Sequence, residues 1–403
     1  MKGVVLAAGL GTRLNPLTAY RPKHLLPLVN STILENVIHV LSRAGIRDIY
    51  VIVHYLKDKI MNLLGDGSRF GVNITYVEQG DVKGTAHAIG VVENFVGDND
   101  FVVVYGDVTA NVNIINRAIE LYRRSGASAV MVGVEVDDPW NYGVLSIDNN
   151  GFLIKVVEKP RRGEEPSNLI NAGIYVLDGS KVFDAIRKTP ISPRGEYEFT
   201  DSLQILVENG NGVAVLNAGR GWWFDIGRPW DLLDANKHFL SKIAFNNMII
   251  DGNVEIDSNV KIVPPVYIGN GSIIRNGSVI GPNTVICRNV YVGSNSVISD
   301  SIVMSNTVID CNCRVNYSII SENCIVESNV DFKYECSDGG TVKMIIKGKI
   351  VDSGRRKLGS VVGDCSFIGK CSIIMAGKSI YPNSIVPRYS IVFKDVRGVY
   401  LHF

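Results

Sequence analysis

The chain has no long uncharged apolar run and no excess of charge of either sign. No run of ~18 uncharged apolar residues occurs, and the apolar start at residues 3–8 leads into a glycine turn, so neither a membrane-spanning helix nor a signal peptide is predicted. Among 403 residues, 41 Lys plus Arg face 40 Asp plus Glu, a net charge of +1. This balance provides no field that attracts nucleic acid or an anionic membrane. We therefore expect a cytoplasmic protein with neither partner.

Cysteine and histidine are absent from most of the chain. The seven cysteines all lie beyond residue 286, in an odd number and without a CxxC pair, which argues against a disulfide framework and a zinc site. We expect them to act as small apolar residues in a tightly packed domain. No histidine occurs in residues 239–401, so an imidazole base is excluded from that whole region.

Up to about residue 240, short β-branched runs alternate with segments of helical period. Residues 4–6, 49–53 and 101–104 are examples of the runs, and residues 33–43 and 114–123 of the helical segments. Such alternation predicts an α/β domain with a largely parallel sheet that is covered on both faces. Ligands should bind at the carboxyl ends of its strands.

After about residue 245 the helical pattern stops and one aliphatic residue recurs at every sixth position. The spacing shortens by one residue at two places, before Val303 and before Ile320, and the repeat continues almost to the end of the chain. Its members are Ile256, Ile262, Ile268, Ile274, Ile280, Ile286, Val292, Ile298, Val303, Ile309, Val315, Ile320, Val326, Val362, Ile368, Ile374, Ile380, Val386 and Val392. This hexapeptide repeat predicts a parallel β-helix whose aliphatic residues point inward. The predicted domains are therefore 1–240 and 241–403.

The repeat fails at about residues 331–359. Ser337–Gly340 separates two apolar segments, 332–334 and 342–346. We expect these segments to form a hairpin, with Ser337–Gly340 as its loop, that projects from the coil.

A glycine-rich and cationic segment follows the first predicted strand. Leu6-Ala7-Ala8-Gly9-Leu10-Gly11-Thr12-Arg13 is followed by Arg21-Pro22-Lys23. Small residues let backbone N–H groups approach phosphate oxygens, and the cations balance a developing pyrophosphate. The segment fits neither the dinucleotide fingerprint nor the P-loop. Alone, it could also be a tight turn with surface cations.

Further motifs give this segment its meaning, because together they resemble the sugar-phosphate nucleotidylyltransferases. The motifs follow that family's order, as Gln79 with Gly84–Ala88, Gly106-Asp107, Tyr142-Gly143-Val144, Glu158-Lys159-Pro160, Asn171-Ala172-Gly173 and Trp223–Gly227. The resemblance implies a Rossmann-like nucleotidyltransferase domain followed by a left-handed β-helix, and it supplies the handedness of the coil. The second domain is similar to bifunctional archaeal nucleotidylyltransferase/acetyltransferase proteins.

The resemblance implies transfer of a nucleotidyl group from a nucleoside triphosphate to a sugar 1-phosphate, with release of pyrophosphate. It assigns catalysis to Arg13, Lys23 and Lys159, and Mg²⁺ binding to Asp107 and Asp225. The implied nucleotide contacts are Leu6, Ala7, Ala8, Gly9, Gly11, Thr12, Gln79, Gly84 and Thr85. The implied sugar contacts are Tyr142, Gly143, Glu158, Asn171 and Trp223. Carboxylate oxygens suit Mg²⁺, and a phosphate nucleophile requires charge compensation and alignment rather than a base.

The amide of Gln79 can pair with the imide edge of uracil or thymine, which favours UTP or dTTP. We expect glucose 1-phosphate or N-acetylglucosamine 1-phosphate as the acceptor. Acetylation of an amino-sugar 1-phosphate is an alternative second activity, but the family uses a β-helix histidine as base for it, and this chain has none. A non-catalytic subunit that senses sugar nucleotides is the other alternative. The resemblance also implies a homotrimer assembled through the β-helix.

Overall fold

The computed structural model describes residues 1–242 and 248–400. Internal contacts divide the chain into two compact units, Met1–Gly9 with Ile33–Asp225 and Leu10–Thr32 with Ile226–Phe403. The domain boundary at residue 240 remains a prediction. In the described ranges, no helix combines the length and apolar character needed to cross a membrane.

The helices of the chain are short and mostly amphipathic. They are α1 Ile33–Arg43, α2 Lys57–Leu64, α3 Thr85–Gly90, α4 Glu93–Val96, α5 Val112–Ser125, α6 Gly179–Lys188, α7 Phe199–Glu208 and α8 Pro229–Ser241. Helix α5 shows how the local sequence sets their ends. The Asn111 side chain accepts a hydrogen bond from the Asn113 N–H at the start, and Gly126 adopts φ 66° at the end. Both are favoured helix caps.

The first unit is built on a mixed nine-stranded sheet. The strands of this sheet are β1 Lys2–Ala7, β4 Asp48–Val53, β5 Asn73–Glu78, β6 Phe101–Tyr105, β7 Ala129–Glu135, β8 Gly143–Ile147, β9 Leu153–Glu158, β10 Leu169–Leu177 and β11 Val213–Asn217. The small pair β2 Pro27–Leu28 and β3 Ser31–Thr32 belongs to the second unit. The sheet order is β11-β7-β10-β6-β1-β4-β5, with β8 and β9 branching from β10.

Strand direction brings several sequence motifs to one edge of this sheet. Strand β1 pairs in parallel with β4 and β6, and β4 pairs in parallel with β5. These four strands therefore end at the same edge, at Ala7, Val53, Glu78 and Tyr105. Ligands bind at this edge in parallel α/β sheets.

The second unit contains three parallel seven-stranded sheets that form the faces of a coil. The first face consists of β12 Met248–Ile250, β15 Val266–Ile268, β18 Thr284–Ile286, β21 Ile302–Val303, β24 Ile319–Ile320, β29 Val361–Val362 and β32 Ser379–Ile380. The second consists of β13 Glu255–Ile256, β16 Ile273–Ile274, β19 Tyr291–Val292, β22 Val308–Ile309, β25 Ile325–Val326, β30 Phe367–Ile368 and β33 Ile385–Val386. The third consists of β14 Lys261–Ile262, β17 Val279–Ile280, β20 Val297–Ser299, β23 Arg314–Asn316, β26 Asp331–Phe332, β31 Ile373–Ile374 and β34 Ile391–Val392.

The inward positions of the coil are the hexad residues. From Ile268 onward, every predicted hexad residue is fully buried in one core cluster, and Ile256 and Ile262 pack partly buried against its first turn. Phe332 also fills an inward position and pairs with Val315 and Ile374. The coil therefore runs one hexad further than the pattern predicted. An aromatic ring replaces the usual aliphatic residue there, which hid the repeat.

Glycine after an inward residue is explained by the next turn of the coil. A Cβ on Gly293 would lie 2.6 Å from the backbone nitrogen of Cys311, and one on Gly369 would lie 2.5 Å from that of Arg388. A larger residue would therefore displace the neighbouring backbone.

The cysteines are all free, and they differ in burial: two are buried, two are exposed, and Cys287, Cys311 and Cys336 are partly buried. Cys313 and Cys324 are fully buried in the coil core, and burial raises the pKa of these thiols to about 11 and about 12. They are fillers, as expected. Cys365 and Cys371 are exposed, so the expectation was wrong for these two. Each occupies a corner of the coil with φ near +60°, where the side chain points away from the core.

The projecting element is a hairpin, but the predicted turn was wrong. Strands β27 Lys343–Ile346 and β28 Lys349–Asp352 pair antiparallel across Lys347 and Gly348. Both turn residues have positive φ, 50° and 77°, as two-residue hairpin turns require. The Ser337–Gly340 segment is instead a loop that precedes the hairpin.

Candidate active site

The end of β1 is attached to the turn that carries Asp107. The Gly106 N–H donates a hydrogen bond of 2.9 Å to the Leu6 carbonyl, and Leu6 lies opposite Tyr105 in the sheet. Leu6, Ala7 and Ala8 are buried. The predicted phosphate-binding backbone and one predicted Mg²⁺ ligand therefore start from adjacent strand ends.

The two predicted metal aspartates are brought together by a small antiparallel bridge. Val108 pairs with Asp225, and the Thr109 N–H donates to the Phe224 carbonyl over 3.0 Å. The Thr109 hydroxyl accepts from the Phe224 N–H over 2.9 Å and donates to the Trp222 carbonyl over 3.1 Å. Asp107 and Asp225 are both half-buried.

This arrangement fits a magnesium ion. Two carboxylates that are far apart in sequence are fixed on neighbouring backbone segments, and Mg²⁺ characteristically takes one or two protein carboxylates while it keeps water and substrate phosphates as its other ligands. Asp107 and Asp225 would hold it.

The predicted base-binding segment is closed on itself by Gln79. The buried Gln79 amide nitrogen lies 3.2 Å from the Gly84 carbonyl and 3.3 Å from the Nδ1 of His87. Burial lowers the pKa of His87, which favours a neutral imidazole able to accept this hydrogen bond. The nitrogen end of Gln79 is therefore used within the segment.

Gly84 permits the segment to lie directly against the loop before α7. Its φ is 110°, and a Cβ would lie 2.4 Å from the Tyr197 carbonyl oxygen. The Ala86 N–H donates to the same oxygen over 2.9 Å, and the Thr85 hydroxyl accepts from the Phe199 N–H over 2.9 Å. Glycine is required here by conformation and by space.

Four of the predicted sugar contacts gather near strands β8 to β10. The rings of Tyr142 and Trp223 meet edge to face at 5.5 Å between centroids, and the Trp223 indole donates to the Ala172 carbonyl over 2.9 Å. Gly143 lies opposite Glu158 in the sheet, and a Cβ on Gly143 would lie 2.7 Å from a Glu158 carboxylate oxygen. Lys159 adopts φ 46°, and its N–H donates to the Tyr142 carbonyl over 2.9 Å.

The side chain of Asn171, the fifth predicted sugar contact, is hydrogen-bonded within the protein. Its amide nitrogen donates to the Tyr175 hydroxyl over 2.6 Å, and its oxygen accepts from the Gly173 N–H over 2.9 Å. Gly173 has φ 71°, and a Cβ there would lie 2.7 Å from the Tyr105 ring. In this structure Asn171 stabilises the irregularity in β10.

Arg194 is a residue of this region that the sequence analysis missed. Its guanidinium lies 3.2 Å from a Glu158 carboxylate oxygen and 2.6 Å from one of Glu198. Burial raises the pKa of Glu198, and the Arg194 charge opposes that rise. Because Arg194 stands in a loop without a motif, no sequence signal marked it.

Arg13 and Lys23, the two cations predicted for the triphosphate, lie in the second unit, in Leu10–Thr32. A Cβ on Gly11, whose φ is 64°, would lie 3.0 Å from the Lys23 Cβ, and the Thr18 hydroxyl donates to the Gly11 carbonyl over 2.9 Å. Arg13 lies against Gly227, where a Cβ would be 3.1 Å from its guanidinium. Gly11 is thus packed against Lys23, and Gly227 against Arg13.

The fold and this set of motifs define a nucleotidyltransferase. A nucleotidyl transferase family profile matches residues 2–242, and a GMPPB C-terminal domain profile matches residues 244–352. The first match spans more than half of the chain, so the chain belongs to the nucleotidyl transferase family.

Curated relatives extend this result over the second unit. The Methanococcus maripaludis bifunctional protein GlmU is 38% identical over 98% of this chain and 95% of its own length. The Haloferax volcanii low-salt glycan biosynthesis nucleotidyltransferase Agl11 is 42% identical over 59% of this chain, a match that spans 65% of its own length. A Sulfurisphaera tokodaii bifunctional sugar-1-phosphate nucleotidylyltransferase/acetyltransferase is 37% identical over 61% of this chain and 57% of its own length.

A solved structure is similar to a part of the chain. It is a putative glucose-1-phosphate thymidylyltransferase from Bacillus anthracis in complex with a sucrose, 34% identical, with a TM-score of 0.55 over 61% of this chain and 97% of that one. The predicted family and the predicted fold class, a nucleotidyltransferase domain followed by a left-handed parallel β-helix, are confirmed.

Proposed function

We propose that the protein transfers a nucleotidyl group from UTP or dTTP to glucose 1-phosphate or N-acetylglucosamine 1-phosphate and releases pyrophosphate. The observation that carries this proposal is the Val108–Asp225 backbone bridge, which joins the two segments that carry Asp107 and Asp225 next to the strand end that starts the phosphate-binding segment. The names of the relatives, which are sugar-1-phosphate nucleotidylyltransferases, agree with it.

In this reaction an oxygen of the sugar phosphate attacks the α-phosphorus, and the bond from that phosphorus to the bridging oxygen of the β-phosphate breaks. The nucleophile is already an anion, so the protein must reduce charge repulsion and align the reactants. We assign the leaving phosphates to Arg13, the α-phosphate to Lys23 and the incoming sugar phosphate to Lys159. Mg²⁺, held by Asp107 and Asp225, would supply further charge neutralisation on the phosphates when bound.

The preference for a pyrimidine base rests on Gln79. Its amide nitrogen already donates to the Gly84 carbonyl, so the contact we propose uses its oxygen, which accepts the imide N–H of uracil or thymine. Adenine and cytosine have an unprotonated ring nitrogen where uracil and thymine carry the imide N–H, and their donor is the exocyclic amino group beside it. In the pose that uracil and thymine adopt, ATP and CTP would therefore leave the Gln79 oxygen unpaired, and the site discriminates against them.

A substrate panel tests the proposal. Purified protein with Mg²⁺ is offered UTP, dTTP, GTP and ATP in combination with the 1-phosphates of glucose, N-acetylglucosamine, galactose and mannose, and pyrophosphate release is measured. We expect kcat/KM for UTP or dTTP with a gluco-configured acceptor to exceed that for ATP by about 10²-fold or more. A preference for GTP would overturn the base assignment, and no release from any pair would favour the sensing subunit.

Acetyl transfer is the activity that the relatives' names add, and we do not assign it to this chain. Residues 239–401 contain no histidine that could take a proton from an amino-sugar amine. Thiol release from acetyl-CoA with glucosamine 1-phosphate, measured in the same panel, is expected to stay at background. Clear turnover would show that another residue acts as the base.

We also propose that the β-helix assembles the chain as a homotrimer, and the second face of the coil supports this. From its second strand onward, each strand of that face buries its second residue and turns its first residue outward. From the second strand onward these outward residues are all apolar and stacked in register, as Ile273, Tyr291, Val308, Ile325, Phe367 and Ile385. We call this row the apolar stripe.

The other two faces do not offer such a surface. Outward residues of the first face, such as Val285 and Ile319, are fully buried within the chain. The third face interrupts its apolar residues with Lys261, Arg314 and Asp331. Exposed side chains in the apolar stripe reach 47% at Ile325, and a continuous exposed apolar row of this kind marks an interface. A second copy is the partner we propose for it.

Ile325→Asp tests the trimer at the middle of the apolar stripe. A carboxylate buried against apolar neighbours is strongly disfavoured, so we expect the mass from light scattering to fall from three chains to one. Val297→Asp is the matched control, because Val297 faces outward on the third face and lies beside Arg314. A wild-type protein that is already monomeric would refute the trimer, as would an Ile325→Asp variant that keeps the wild-type mass.

A further inference from the structure

Arg21 is a buried arginine that lies between Arg13 and Lys23 in the sequence, and its hydrogen-bond partners lie on the coil. Only 7% of the residue is exposed. Its guanidinium contacts an Asp364 carboxylate oxygen, lies 3.0 Å from a Glu322 carboxylate oxygen and 3.1 Å from the Met304 sulfur. The segment Leu10–Thr32 is therefore joined to the β-helix by a buried ion pair within the second unit.

On the coil side, this ion pair spans two successive turns. Asp364 follows strand β29 and is 3% exposed. The oxygen that meets Arg21 also accepts hydrogen bonds from the Ser321 hydroxyl over 2.7 Å and from the Glu322 N–H over 3.1 Å. Since Ser321 directly follows β24, which pairs with β29, Arg21 is anchored where the coil resumes after the projecting hairpin.

In the segment Leu10–Thr32, the backbone is fixed by contacts both before and after Lys23. Pro22, with φ −59°, is the only residue between Arg21 and Lys23, and a fixed proline φ leaves little freedom there. The Tyr20 hydroxyl accepts a hydrogen bond from the Asn383 amide over 2.8 Å. Beyond Lys23, the buried Asn236 of α8 bonds to the Val29 N–H and to the Pro27 carbonyl. The backbone that presents Lys23 is thus fastened to the coil before it and to α8 after it.

The ion pair is poorly designed for stability alone. The Arg21 Nε and the other Asp364 oxygen are buried with no hydrogen-bond partner in the described parts of the chain. Burying charges costs free energy that a pair recovers only when its remaining polar atoms are satisfied, and apolar replacements are often as stable. Positional specificity is the benefit that such a pair can still provide.

We infer that Arg21 and Asp364 are positioning residues for nucleotidyl transfer, through which the β-helix sets the location of Lys23. This inference rests on the proposed function, because it takes Lys23 as the α-phosphate ligand. It gives the coil a second role besides assembly: the phosphate-binding segment depends on the coil for its shape. The pair acts on the reaction without touching a substrate.

The test separates positioning from folding with single and double variants in the full-length protein. Asp364→Asn and Arg21→Met each leave a buried charge without its buried counter-charge, so we expect lower thermal midpoints and a kcat/KM for the triphosphate about 10²-fold lower. The KM for the sugar phosphate should change little. In Arg21→Met/Asp364→Asn no buried charge is left, and the asparagine oxygen can still accept from the Ser321 hydroxyl and the Glu322 N–H, so the thermal midpoint should return while kcat/KM stays low. Arg21→Lys should recover part of the rate.

A second readout does not depend on activity. Hydrogen exchange of backbone amides in residues 10–25 should become faster in Asp364→Asn and in the double variant, but not in Arg388→Met. That control breaks an exposed ion pair with Glu327 within the same coil and should keep wild-type turnover. Full activity of the folded double variant, or unchanged exchange in residues 10–25, would overturn the inference alone. A wild type without pyrophosphate release would overturn the proposed function, and the catalytic role of the pair with it.

Discussion

Replacing Lys23 with alanine is expected to lower kcat for pyrophosphate release by about 10²- to 10³-fold. In the proposed reaction Lys23 is the cation on the α-phosphate, where charge develops during the displacement. Removing one preorganised donor at such a position typically costs about 2.7–4 kcal/mol of transition-state stabilisation. Lys23→Arg should restore little, because a planar guanidinium cannot take the place of a compact ammonium group. Steady-state kinetics with saturating acceptor measure both variants.

The fold should survive this change. Lys23 begins a short 3-10 helix and is partly exposed, while the neighbouring Pro22 and His24 are the buried residues. Lys188→Ala is the matched control, because Lys188 is an exposed lysine at the end of α6 and should change neither activity nor thermal midpoint. A folded Lys23→Ala variant with activity near that of the control would refute the phosphate site as drawn.

The β-helix was predictable because its physics is local and repetitive. Each hexad places one aliphatic residue inward, and Ile268 to Val392 fill the core at the expected positions. Prediction failed where the local rule changes. Phe332 fills an inward position with an aromatic ring, and the turn formed by Lys347 and Gly348 was hidden in an apolar stretch whose charged residues face outward.

The residues of the candidate site were found from motifs, but their internal bonds were not. Gln79 and Asn171 were chosen as ligand contacts, yet each spends amide hydrogen bonds on the backbone or side chains around it. Arg21 was noted only as part of the cationic segment, and the structure buries it in an ion pair with Asp364. A sequence states which groups are present, whereas their partners depend on contacts that here reach up to 363 positions along the chain, from Tyr20 to Asn383. Local sequence patterns cannot predict contacts between residues so far apart in the chain.

Asp107→Asn and Asp225→Asn are expected to abolish turnover while the fold is kept. Asparagine preserves the size of the side chain and removes the charge that attracts Mg²⁺, so each variant should lose about 10³-fold or more in kcat/KM. The backbone bridge between Val108 and Asp225 does not use the carboxylates and should persist. Asp98→Asn is the matched control, because Asp98 is exposed and lies before β6, whereas Asp107 follows it.

Nucleotide binding without turnover gives these two variants a distinct signature. With Mg²⁺ present, calorimetry should show weaker triphosphate binding than in the wild type, because the metal no longer links protein and phosphates. In excess chelator the order should reverse, since the wild-type carboxylates repel the bare triphosphate and the amides do not. Equal binding of wild type and variants under both conditions would show that these aspartates do not meet the metal. The variants respond in opposite directions with Mg²⁺ and with chelator because the same two carboxylate charges attract the metal and repel the triphosphate.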